Sequence, residues 1–203
     1  MKLGIYGGTF SPVHNAHVKA AEAFVEKYAL DKLLIIPAGI PPHKQLSGGD
    51  DPLLRFEMCN LAFSGLPKTE VSDIEIKRVG KSYTVITLRE LSSPENDIYM
   101  LCGSDMVLTL DRWYCFEEIF KLCTVVYARR ENDAQIEGTI NEKVAEYKSK
   151  YGARVEKLDL VPLELSSTEI RTAVAAGSDI SHSVPEKIED FIKGKGLYLQ
   201  EHE

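Results

Sequence analysis

Short apolar runs recur along this chain, and stretches of helical period separate them. KLGIY (2–6), KLLIIPA (32–38), DIYMLC (97–102) and TVVYA (124–128) have the length and apolar density of buried strands. Between the first two, Val18, Ala21, Val25, Tyr28 and Ala29 recur at helical spacing while Lys19, Glu22, Glu26 and Lys27 fill the opposite face. Strand, amphipathic helix and strand make one right-handed crossover unit, because parallel neighbours need a connection of a dozen residues or more. Repetition of that unit predicts an α/β fold: an open, mostly parallel sheet with helices on both faces.

The remaining segments extend the pattern. Asp51 before Pro52 starts a helix through Phe63, since aspartate caps a helix and proline suits its first turn. EVSDIEI (70–76) alternates like a strand, Tyr83 to Leu91 is helical, and RVEKLDL (154–160) returns to the sheet edge. The polar stretch 131–150 reads as a solvated loop and helix. Ser166–Ala176 and Pro185–Lys193 are two short helices, so residues 166–203 form a small C-terminal helical part that closes one domain spanning 1–203. Neither a repeat nor a low-complexity linker interrupts it.

Charge narrows the partners. A net charge of −7 argues against a broad footprint on nucleic acid, which runs on many phosphate contacts, whereas a small phosphorylated ligand needs only a local basic cluster. With no apolar stretch of membrane-spanning length and no basic-then-apolar opening, a cytoplasmic protein without membrane partners is expected; a homo-oligomer is compatible. Cys59, Cys102, Cys115 and Cys123 lack C-x-x-C spacing and are expected as buried, reduced thiols rather than zinc ligands.

GIYGGTFSPVHNAH (4–17) carries the chemistry. Gly7 and Gly8 follow the first strand and precede a helix, where backbone N–H groups can approach a phosphate and the helix dipole favours an anion. The stretch is neither G-x-x-x-x-G-K-[ST] nor G-x-G-x-x-G. His14 and His17, three apart on the first helical turn, can face the same way and donate to phosphate oxygens; alternatively one of them simply caps the helix. A zinc reading lacks a third ligand at matching spacing. A second segment, LSSTEIR (165–171), also suits an anion: Ser167 or Thr168 can cap a helix whose free N–H groups, with Arg171, bind polyphosphate. Its plainer reading is a capping box between Ser166 and Glu169.

Together, in this order and about 150 residues apart, the two segments resemble the signatures of the class I nucleotidyltransferase superfamily, and GGTFSPVHNAH (7–17) is similar to the form found in bacterial nicotinate-nucleotide adenylyltransferases. The resemblance implies a Rossmann-like fold and transfer of the adenylyl group of ATP to nicotinate mononucleotide, releasing pyrophosphate, as a step of NAD biosynthesis. It implies an ATP site at Gly7, Gly8, Thr9, Phe10, His14, His17, Ser167, Thr168 and Arg171, with His14, His17, Lys44 and Arg171 acting in catalysis. PAGIPPHK (37–44) resembles the family's loop after strand two, placing Lys44 at the acceptor's phosphate. KSYTVITL (81–88) and CGSDMVLTLDRWY (102–114) resemble the acceptor segments: Trp113 stacks on the pyridine ring, Thr84 and the backbone near Tyr114 receive the nicotinate carboxylate, and Asp105 binds ribose hydroxyls. Mg2+ is implied as a cofactor bridging the ATP phosphates through mostly water ligands.

Two positions depart from the pattern. Ala16 replaces the usual glycine and is expected to crowd the adenine side, and Ile86 replaces an aspartate expected near the acceptor. Nicotinamide mononucleotide or phosphopantetheine as acceptor, and a noncatalytic nucleotide-binding sensor, are the alternatives.

Overall fold

Among the described residues six strands, all parallel, form one sheet in the order β3-β2-β1-β4-β5-β6. The structure is a computed structural model and describes residues 1–42, 51–129, 134–161 and 163–199. In chain order the elements are β1 (Lys2–Gly8), α1 (Asn15–Tyr28), β2 (Lys32–Pro37), α2 (Pro52–Phe63), β3 (Thr69–Val71), α3 (Ile74–Lys77), α4 (Thr84–Leu91), β4 (Asp97–Gly103) and α5 (Ser104–Val107). A 3₁₀ turn at Leu110–Arg112 leads to α6 (Phe116–Leu122), β5 (Thr124–Ala128), α7 (Ala134–Tyr151), β6 (Val155–Leu158), α8 (Ser167–Ala175) and α9 (Glu186–Lys195).

Chain order runs outward from β1 on one side and outward from β4 on the other, so the connections diverge between these two central strands. A crevice opens at such a divergence, beyond the carboxyl ends of the strands. The central strands are buried on both faces, as expected of a parallel sheet covered by helices. One apolar layer holds Phe24 of α1, Met58 of α2 and Ile188 of α9; the other holds Leu88 of α4, Phe120 of α6 and Tyr147 of α7. Asp51 caps α2 by accepting from the Leu53 N–H at 2.8 Å, with Pro52 in the first turn, an arrangement that stabilises a helix by about 1 kcal/mol. Among the described residues, no helix is long and apolar enough to cross a membrane.

Three local expectations are corrected. The alternation in 70–76 does not make one strand: β3 stops at Val71, and 74–77 is a helical turn whose Ile76 and Lys77 N–H groups bond the Asp73 carbonyl. A short edge strand leaves little for another chain to pair with, and the Asp73–Lys77 ion pair at 2.8 Å closes the turn instead. The stretch 131–150 is less solvated than its charge suggests, because α7 buries Ile140 and Tyr147, and the Tyr147 hydroxyl donates to the Val107 carbonyl at 2.9 Å. Cys115 is exposed, with left-handed φ of 53°, whereas Cys59, Cys102 and Cys123 are buried.

Candidate active site

A cleft of about 770 Å³ opens at the carboxyl ends of the strands, with Gly8, Ala38, Gly103 and Arg129 marking the ends of β1, β2, β4 and β5 on its wall. His14 and His17 stand at the start of α1 and line it. His14 occupies the N-cap position with extended backbone, and His17 sits three residues on, so their rings stack with centroids 3.6 Å apart and 21° between planes. The His17 Nδ1 accepts from the His14 backbone N–H at 3.2 Å. A neutral imidazole that accepts at Nδ1 carries its proton on Nε2, which makes that nitrogen the donor of the ring. Phe10, only 2% exposed and with φ of 53°, puts its ring edge-on beneath His17 at 5.0 Å. Its side chain therefore holds the imidazole in place from the core.

The glycines before it have different reasons from those expected. Both lie inside β1 rather than in a loop, paired with Ile36 and Pro37 of β2. A Cβ at Gly8 would meet the Phe10 ring at 3.0–3.3 Å, so absence of a side chain there makes room for the aromatic support of His17. Gly7 has open space, its nearest contact being the Ile36 carbonyl at 4.0 Å.

The late segment comes to the same place. α8 is capped by Ser166, which accepts from the Glu169 N–H at 3.2 Å and donates to the Glu169 carboxylate at 2.7 Å; the cap is thus neither Ser167 nor Thr168. Their positions are used otherwise. Ser167 Oγ donates to the Pro12 carbonyl at 3.0 Å, and Arg171 Nη1 donates to the Ser11 carbonyl at 2.7 Å while Nη2 donates to Thr168 Oγ1 at 3.3 Å. Two segments far apart in sequence are latched through backbone carbonyls of the opening loop. Ser167, Thr168 and Arg171 line the cleft beside the histidines.

The far side of the cleft holds the second group of expected residues. Thr84 is the first residue of α4, Asp105 lies on α5 just past β4, and Trp113 and Tyr114 follow the 3₁₀ turn; all four line the cleft. Tyr114 is 54% exposed and packs its ring against Tyr83 at 4.9 Å, forming a rim. Lys44 lies outside the described residues. Ala16 lines the cleft on the first turn of α1. Ile86 does not: it packs against the apolar layer of α4, α6 and α7, so its side chain is turned from the ligand space where the expectation put it.

Sequence reasoning missed a polar floor. Glu75 of α3, 8% exposed, lines the cleft and accepts from Thr87 Oγ1 at 2.6 Å, and Arg78 Nη1 donates to the same hydroxyl at 3.1 Å. Burial pushes the Glu75 carboxyl above its usual range, opposed by hydrogen bonds from Thr87 and Ser82 and by the charge of Arg78. Arg129, paired with Glu137 at 3.3 Å, also lines the cleft. Glu75 was hidden in an alternation that looked like a strand, and Arg129 by its place after an ordinary strand. Among the described residues no group of three or more histidine, cysteine, aspartate or glutamate side chains is arranged to hold a metal ion.

With this geometry in hand, comparison with known proteins gives a consistent result. Residues 5–173 match the family model described as cytidylyltransferase-like. A protein of Citrifermentans bemidjiense named probable nicotinate-nucleotide adenylyltransferase is 38% identical, covering 98% of this chain and 99% of that one. A protein of Thermoanaerobacter sp. with the same name is 37% identical over 100% of this chain and 97% of its own. Among solved structures, the nicotinic acid mononucleotide adenylyltransferase of Plasmodium falciparum complexed with NaAD superposes with a TM-score of 0.74 at 17% identity, covering 97% of both chains. That likeness establishes the Rossmann-like α/β fold.

Proposed function

The chain belongs to the cytidylyltransferase-like family and, within it, to the nicotinate-nucleotide adenylyltransferases of NAD biosynthesis, and we propose that its cleft joins MgATP to nicotinate mononucleotide, giving nicotinate adenine dinucleotide and pyrophosphate. The single observation that carries this reading is the convergence of the histidine pair at the start of α1 with the start of α8, tied by the Ser167–Pro12 and Arg171–Ser11 bonds, on one wall of a cleft whose other wall bears Trp113 and Thr84. One wall suits a triphosphate and the other a pyridine mononucleotide.

In this reading the acceptor's 5′-phosphate attacks the α-phosphorus in line, the bond to the β-phosphate oxygen breaks, and pyrophosphate leaves with the electron pair. No covalent enzyme intermediate is needed. Such transfer gains from positioning and charge stabilisation, so the protein supplies donors rather than a nucleophile. His17 Nε2–H meets the α-phosphate, His14 the neighbouring phosphates, and Arg171 with Thr168 the departing pyrophosphate. Ser167, whose hydroxyl is committed to Pro12, contributes through the backbone of α8. Lys44 would receive the attacking phosphate, a role that rests on the family resemblance alone. Magnesium would come with the nucleotide and would supply charge neutralisation at the phosphates.

On the acceptor side Trp113 stacks on the cationic pyridine ring, a contact worth about 0.5–2 kcal/mol. Thr84 and the backbone at Tyr114 take the carboxylate, and Asp105 takes ribose hydroxyls. We take 1–203 as one domain, with 166–203 as its closing C-terminal helical part. A pyrophosphate-release assay with ATP, magnesium and one acceptor at a time tests the assignment: turnover on nicotinate mononucleotide is expected to exceed that on nicotinamide mononucleotide or phosphopantetheine. Preference for either of the latter would replace the acceptor, and nucleotide binding without pyrophosphate release from any of the three would make the chain a sensor.

A further inference from the structure

Arg55 lies on α2, on the same face as Met58, Cys59 and Phe63, and is 1% exposed. A guanidinium in such a place is expensive to desolvate unless its donors are used. Its two arms reach different loops: Nη1 donates to the Thr9 carbonyl at 2.9 Å and Nη2 to the Gly39 carbonyl at 3.2 Å. The location of these carbonyls explains why an arginine is there. β1 and β2 are in register up to the pair Gly8 and Pro37, and one further bond, Ala38 N–H to the Gly8 carbonyl at 2.9 Å, ends the ladder. Beyond it the two segments part, one running on to His14 and the other into residues 38–42. Arg55 spans the carbonyls just past the parting point.

Gly39 is held from other sides as well. Its N–H donates to Ser82 Oγ at 2.9 Å, and the Ser82 N–H donates to the Ile40 carbonyl at 2.8 Å. A Cβ at Gly39 would sit 2.3 Å from the Glu75 carbonyl, a backbone contact that cannot yield. The start of the acceptor-side loop is thereby pinned to α3, to the entry of α4 and, through Arg55, to the loop that leads to the histidines.

We propose that Arg55 is a positioning residue that fixes the separation of the two phosphate-carrying loops without touching either substrate. The proposal rests on the function assigned above, in which the Thr9 loop serves the donor triphosphate and the Gly39 loop the acceptor phosphate. The planar fork of arginine holds both carbonyls at a set spacing; a lysine in its place keeps the charge but satisfies one of them at a time. Displacement is sensitive to the approach distance of nucleophile and phosphorus, and a misplacement of about 1 Å made far from the chemistry can cost roughly 100-fold in rate.

The test measures each half of the reaction and the whole in Arg55→Lys beside the wild type. Turnover to dinucleotide is expected to fall roughly 10- to 100-fold, while calorimetric affinities for the non-hydrolysable ATP analogue alone and for nicotinate mononucleotide alone stay within about threefold. Affinity for the product dinucleotide, which spans both loops, falls by about tenfold, or 1.4 kcal/mol. A residue that only supports the core would weaken all three ligands together. Ser82→Ala, which releases the Gly39 N–H and one hydrogen bond to the Glu75 carboxyl but leaves the Arg55 guanidinium in place, shows the same split at smaller size and decides the matter if Arg55→Lys does not fold. Turnover within threefold of wild type, or parallel loss of every affinity, overturns the proposal. No dinucleotide from the wild type itself would remove the functional reading and this one with it, whereas an active wild type with an equally active Arg55→Lys removes this one alone.

Discussion

Replacing His17 by alanine separates two jobs that the structure gives to one ring. His17 lines the cleft, where the proposed function gives its Nε2–H the α-phosphate, and its Nδ1 accepts from the His14 backbone N–H at 3.2 Å. Loss of one donor that acts on charge in the transition state lowers kcat by roughly 10²–10³, or about 2.7–4 kcal/mol. Loss of the acceptor leaves the His14 N–H of a 5% exposed residue without that bond, a cost of about 1 kcal/mol. In a chain of this size that lowers Tm by about 2–4 °C. His17→Asn separates the two effects, because its carbonyl oxygen can still accept from the cap while the imidazole donor is gone. Stability should recover and turnover should not. Pyrophosphate release under saturating ATP and acceptor gives kcat, and thermal unfolding gives Tm. A normal kcat with only a raised KM for ATP would refute the reasoning, since it would make His17 a binder of the ground state.

Trp113 is the only tryptophan, so its fluorescence reports one site: nicotinate mononucleotide should quench it on binding, and quenching by ATP alone, with none by the acceptor, would move the acceptor elsewhere. Ala16→Gly, which removes a methyl group from the cleft wall on α1, should tighten the KM for ATP and leave kcat alone; an unchanged KM would mean that the methyl crowds nothing. Glu75→Gln tests the buried carboxyl through pH. Its folded-state pKa is raised by burial, so the native chain holds that proton to higher pH than the unfolded chain does, and stability is lost as pH rises from about 4.3 through the folded value. The Tm of the variant should gain on the wild type as pH increases over that window, and a constant difference would contradict the shift.

The sheet was legible because buried parallel strands are near-continuous apolar runs, and KLLIIP and TVVYA have no other good reading. The histidine pair and the start of α8 were legible because glycine, helix caps and i, i+3 spacing are local. What joins them was not. Arg171 was expected to face a ligand, and its bond to the Ser11 carbonyl is a contact across 160 positions that no local pattern encodes. Gly8 was assigned to phosphate approach, whereas the nearer constraint is the Phe10 ring two residues on. Arg55 had a visible signal, a charge on the apolar face of an amphipathic helix, whose meaning depends on where the ends of β1 and β2 part. Ile86 misled for the opposite reason: the family comparison supplied the residue type, but only the packing of α4 shows which way it points.

The proposed reaction is a single displacement at the α-phosphorus of a triphosphate held between the opening loop and α8. Turnover of one diastereomer of ATPαS with nicotinate mononucleotide measures it directly. A phosphorothioate dinucleotide of inverted configuration at phosphorus is expected, released with pyrophosphate in equal amount. Retained configuration, or pyrophosphate release without the dinucleotide, would contradict it.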